Sequence, residues 1–64
     1  MTSKLAELIA EREGFYVKGS LPQRNNNPGD LEAAPGMLYR PGSKVGYFET
    51  PEEGWAALER QLGL

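Results

Sequence analysis

The apolar positions change their spacing along this chain. In the opening stretch Leu5, Leu8 and Ile9 fall at i, i+3 and i+4, and Tyr16 extends the stripe, which is the spacing of an amphipathic helix. Thr2 or Ser3 can cap its start, and Gly14 can end it. Near the other end Trp55, Leu58 and Leu62 repeat at i, i+3 and i+7. Thr50 is a good N-cap for that second helix. Pro51 suits its first position, Glu53 can close a capping box onto Thr50, and Gly63 can end it. Between the two, helical periodicity is lost. Residues 37–40 and 44–48 read as short strands joined by a turn at Pro41, Gly42 and Ser43, with Val45 and Tyr47 on one face and Phe48 on the other. Leu31 and Glu32 can add a third short strand, which Pro35-Gly36 would interrupt.

The expected architecture is therefore a single α+β domain over residues 1–64. It has an N-terminal helix, an Asn-rich loop, a small twisted β-wing and a C-terminal helix. Its core would pack Leu5, Leu8 and Ile9 against Trp55, Leu58 and Leu62.

The stretch Arg24 to Leu31 organises the rest. Asn25, Asn26 and Asn27 before Pro28-Gly29 suit neither helix nor strand, because asparagine side chains compete for neighbouring backbone groups and proline lacks a donor. Asn27 to Asp30 reads as a type II turn, with Gly29 at the position of positive φ. One asparagine is enough for a turn. The surplus amides either brace the loop against its neighbours or face a ligand rich in hydroxyl and amide groups. Gly54, inside the first turn of the second helix, costs roughly 1 kcal/mol against alanine, which implies that another backbone or a ligand passes close by.

Composition narrows the chemistry. The 64 residues contain no cysteine and no histidine, so thiolate or imidazole metal sites, disulfides and nucleophile-histidine triads are excluded, and no metal or cofactor is expected. Seven basic residues, scattered against nine acidic ones, give a net charge of −2 and no nucleic-acid surface. No apolar run is long enough for a signal peptide or a membrane span. Synthesis in the cytoplasm is expected, and any work outside it would need another export route.

Glu13 is the main chemical candidate. It projects about 40° from Ile9 at the flank of the apolar stripe, beside Gly14, Phe15 and Tyr16. The helix dipole and any desolvation by the aromatics would both favour its protonated form, the state that a general acid needs. Glycoside cleavage normally uses a second carboxylate, for which Asp30 and Glu32 are candidates. Tyr16, Tyr39, Tyr47 and Trp55 can stack on sugar rings, and Asn25, Asn26 and Asn27 can bind N-acetyl groups. The plainer alternatives are a helix-end glutamate paired with Arg12 or Arg24, loop-bracing asparagines, a core tryptophan, and tyrosines packed across strands.

A helix ending in Glu13-Gly14-Phe15, then Arg24 to Gly29, then Phe48-x-Thr50-Pro51-Glu52-x-Gly54-Trp55-x-Ala57-Leu58 resembles the phage and bacterial lysozyme-like superfamily, which includes peptidoglycan lytic transglycosylases and virion-associated muramidases. The resemblance runs from about residue 8 to residue 62. It implies a minimal lysozyme-like domain acting on peptidoglycan glycan strands, with Glu13 as the general acid. A transglycosylase of that kind needs no second carboxylate, because the C6 hydroxyl of the substrate attacks. Asp30 stands where members of the superfamily usually carry asparagine, and full members wall the glycan cleft with further helices. The alternative is a non-catalytic glycan-binding or virion assembly module, working with other chains of a phage particle or as a homo-oligomer.

Overall fold

The computed structural model describes residues 2–64. Three helices follow in order: α1 (Lys4–Arg12), α2 (Leu21–Arg24) and α3 (Pro51–Gln61). Ser3 caps α1, its side chain accepting from Ala6 N. The capping box of α3 forms as the sequence implies, with Glu53 N donating to Thr50 Oγ1 at 3.2 Å and Thr50 N donating to Glu53 Oε1 at 3.1 Å.

All three helices close in the same way. In α1 Gly14 N donates to Glu11 O and Phe15 N to Ala10 O. In α2 Asn26 N donates to Gln23 O and Asn27 N to Pro22 O. In α3 Gly63 N donates to Arg60 O and Leu64 N to Glu59 O. These paired bonds are the Schellman closure, which needs a left-handed residue just past the cap. Gly14 (φ 84°) and Gly63 (φ 79°) supply it, and in α2 the residue is Asn26 (φ 52°).

The α+β expectation is corrected here. Among the described residues there is no sheet and no β-wing, and the domain is helical with irregular connections. Of the expected wing only an isolated antiparallel bridge forms. Leu38 N donates to Tyr47 O at 3.0 Å, and Tyr47 N to Leu38 O at 2.7 Å. Pairing cannot spread from it. Gly36 and Gly42, both at φ 79°, turn the chain on either side of Leu38, and Pro35 and Pro41 have no N–H to offer. On the opposite edge of residues 46–48, the N–H and C=O groups of Gly46 and Phe48 point away from Leu38 and are taken by the asparagine loop and Leu31, so no third strand pairs there.

The core also differs from the expected one. The fully buried positions of α1 are Ala6 and Ala10, whereas Leu5 and Leu8 are 52% and 51% exposed. On α3 the buried residues are Gly54, Ala57 and Leu58, and Trp55 and Leu62 are half-buried. The two helices lie against each other through small residues, and Ser3 N donates to Glu59 Oε2 at 2.6 Å, joining the start of α1 to α3. Phe48 is buried, and Phe15 packs edge-on against Trp55 with ring centroids 5.4 Å apart.

The connection between the first helix and the wing, expected as an Asn-rich loop, contains α2. Ser20 caps it, accepting from Gln23 N and donating to Gly14 O at 2.6 Å, while Gln23 Oε1 accepts from Gly19 N. Ser20 with Gln23 three residues later is a capping signature, and Pro22 fits a first helical turn. That signal was present in the sequence.

Candidate functional site

Asn25, Asn26 and Asn27 are the cap and the two closing residues of α2, and their side chains turn inward. Asn27 is fully buried. Its Nδ2 donates to Leu31 O at 3.0 Å and to Gly46 O at 2.9 Å, and its Oδ1 accepts from Leu31 N at 3.0 Å. Both donors and one acceptor position of the amide are thereby used. Asn26 Nδ2 donates to Phe48 O at 2.9 Å, and Phe48 N donates to Asn25 O at 2.9 Å. Residues 46–48 are thus laced to the asparagines along one edge and bridged to Leu38 along the other.

The turn that follows is present, but it is not type II. Asp30 N donates to Asn27 O at 2.9 Å, yet the positive φ angles fall on Asn26 and Asp30, not on Gly29. Gly29 is closely packed by two leucine side chains. A Cβ there would lie 2.7 Å from Leu58 Cδ1 and 3.3 Å from Leu31 Cδ2.

Asp30 is half-buried at φ 50°, and its Oδ1 is buried without a hydrogen-bond partner. Arg40 reaches back from the irregular segment, donating through Nη1 to Asn25 Oδ1 and covering the Tyr47 ring at 4.2 Å. One face of Tyr47 is therefore occupied within the chain. Tyr39 is half exposed, and its hydroxyl donates to Glu32 O at 2.5 Å.

Glu13 is the C-cap of α1, and its side chain is exposed. The burial by Phe15 and Tyr16 expected from their adjacency does not occur, because both rings turn to Trp55 (Phe15 at 5.4 Å, Tyr16 at 6.5 Å). The hydrogen bond tying this end of α1 to the cap of α2 runs from Ser20 Oγ to the Gly14 carbonyl and bypasses the Glu13 carboxylate.

The structure therefore draws Asn25, Asn26, Asn27, Asp30, Arg40 and Tyr47 into one laced loop cluster, with Glu13 displayed separately at a helix end. Arg40 was not singled out by its sequence context, since an isolated arginine beside Pro-Gly reads as a surface turn residue. Among the described residues no group of three or more acidic side chains could hold a metal ion, and no helix is long and apolar enough to cross a membrane.

Compared with known proteins, the chain matches no family model, no curated protein and no solved structure.

Proposed function

We propose that this chain acts on the glycan strands of peptidoglycan, with Glu13 as the general acid. The observation that carries the reading is the display of Glu13. The Schellman closure of α1 fixes its backbone, and its carboxylate stands in solvent where a polymeric substrate can reach it. A protonated Glu13 would deliver its proton to the glycosidic oxygen as the C1–O bond breaks. The same carboxylate would then take the proton of the attacking hydroxyl. That hydroxyl is the muramyl C6–OH in a lytic transglycosylase, or water in a muramidase. Of the two candidate second carboxylates, Asp30 is half-buried with Oδ1 enclosed and Glu32 is exposed, so the two routes are separated by their products.

A second reading, a non-catalytic glycan-binding or virion assembly module, is favoured by the internal use of the asparagine side chains. Zymography on purified cell walls separates the two. With Glu13 as the acid, Glu13→Gln loses about two orders of magnitude or more in cleavage while its melting temperature is unchanged. Product masses then distinguish 1,6-anhydro from reducing ends. A wild type that binds insoluble peptidoglycan without cleaving it supports the module, and equal cleavage by both proteins removes Glu13 from the acid role.

A further inference from the structure

The outward face of α1 has no cover. At 100° per residue, Leu8 lies about 180° around the helix from the midpoint of the buried pair Ala6 and Ala10. It is the centre of the solvent face. Leu5 and Tyr16 (57% exposed) widen the apolar area, and a shallow groove is lined by Lys4, Glu7, Leu8, Glu11 and Tyr16. Lys4 and Glu11 lie about 40° and 60° from Leu8 on the same side of the helix, and they are seven residues, or roughly 10.5 Å, apart along its axis.

This arrangement is self-complementary. When two copies of the helix pack antiparallel about a two-fold axis, each side strip meets the same strip of the partner in reverse. Lys4 of each copy then faces Glu11 of the other, and the Leu8 side chains meet near the axis. The other strip, with Leu5 and Arg12, meets its own reverse without opposing like charges. A parallel two-fold arrangement would instead set each Lys4–Glu11 strip against the partner's Leu5–Arg12 strip, leaving Lys4 opposite Leu5 without an acidic partner and aligning the two helix dipoles.

We propose that this face is a homodimer interface, in which α1 packs antiparallel on α1 of a second copy through Leu8, flanked by two Lys4–Glu11 pairs. The inference does not depend on the glycan reading, since Glu13 takes no part in it. An interface centred on one short helix belongs to the small, weak class, below about 1,200 Å² in total, so association is expected at high chain concentration.

Sedimentation equilibrium at chain concentrations up to about 1 mM tests it. The expected result is a mass rising from the 7.1 kDa of one chain towards twice that value. Leu8→Glu and Lys4→Glu should each raise the dimer dissociation constant about tenfold or more, with the helical circular dichroism retained because both side chains face solvent. Exchanging the charges, Lys4→Glu with Glu11→Lys, should bring the constant back to within about threefold of wild type. A single-chain mass at every concentration overturns the proposal. So does a Leu8→Glu variant that associates as tightly as wild type, or a charge exchange that fails to recover what Lys4→Glu loses.

Discussion

The carbonyl oxygen of Asn26 occupies the space that a side chain at Gly54 would need. A Cβ built on Gly54 would lie 1.8 Å from Asn26 O and 2.9 Å from Pro28 Cδ. Asn26 carries its oxygen there because its left-handed φ closes α2, so the ending of one helix determines a residue in the first turn of another.

Gly54→Ala is consequently a test in which two effects have opposite signs. Helix propensity alone would stabilise α3 by about 1 kcal/mol. The obstructing atom belongs to backbone and cannot move aside by changing a rotamer, so overpacking should outweigh that gain and leave a net loss of about 2 kcal/mol or more. Urea unfolding reads the sign. An alanine variant as stable as wild type would mean that the loop does not press on α3 as described.

Asn27 and Asn25 should respond very unequally to the same change. Asn27→Asp removes the donors that satisfy Leu31 O and Gly46 O and sets a buried carboxylate against two carbonyl oxygens. Each orphaned carbonyl costs about 1–3 kcal/mol. A domain of this length has a total stability of about 3–10 kcal/mol, so this variant should be unfolded. In Asn25→Asp the acceptor facing Arg40 survives and gains charge, and the loss should stay under about 1 kcal/mol. Circular dichroism melts of the two variants side by side decide it, and similar melts would sink the assigned amide orientations.

What the sequence disclosed and what it concealed have distinct physical causes. Thr50, Pro51 and Glu53 disclosed the start of α3, Gly14 and Gly63 the ends of two helices, and Gly54 a close backbone, because each signal is local or steric. The core was misplaced because periodicity locates the largest apolar residues. The α1–α3 contact instead selects Ala6, Ala10 and Ala57, and the leucines of α1 are left outside. The β-wing was expected from alternation over residues 44–48, but alternation cannot reveal that the turns at Gly36 and Gly42 confine pairing to the single Leu38–Tyr47 bridge, or that asparagine side chains cover the opposite edge of residues 46–48. The exposure of Glu13 was equally hidden, since it depends on which way Phe15 and Tyr16 turn.

The left-handed helix endings can be separated into backbone and side-chain contributions. A Cβ on Gly14 would meet nothing within 4 Å, so Gly14→Ala should cost only the conformational penalty, about 1–2 kcal/mol. Asn26→Ala carries a similar penalty, eased in the native chain by asparagine's tolerance of this region, and also loses the bond to Phe48 O. Asn26→Gly keeps the conformation and loses only that bond. The expected order of melting temperatures at this position is wild type, then glycine, then alanine. Alanine melting at or above glycine would show that the left-handed backbone at this position imposes no penalty, since both variants lack the bond to Phe48 O.

Asp30 is a position where the native residue should be less stable than its amide. Its φ of 50° is better tolerated by asparagine than by most residues, and its buried Oδ1 has no donor. A carboxylate oxygen withdrawn from water without a partner is costly, whereas an uncharged amide in the same space loses less hydration and can turn its NH2 outward. Asp30→Asn should therefore raise stability by several tenths to about 1 kcal/mol in urea at neutral pH. Asp30→Ala is the necessary control. It removes the unpaired oxygen but places a residue without local hydrogen bonding at a left-handed position, so it should not reach the asparagine variant. Asparagine and alanine variants of equal stability would assign the effect to charge removal alone, and an asparagine variant less stable than wild type would show that Asp30 has a partner in solution.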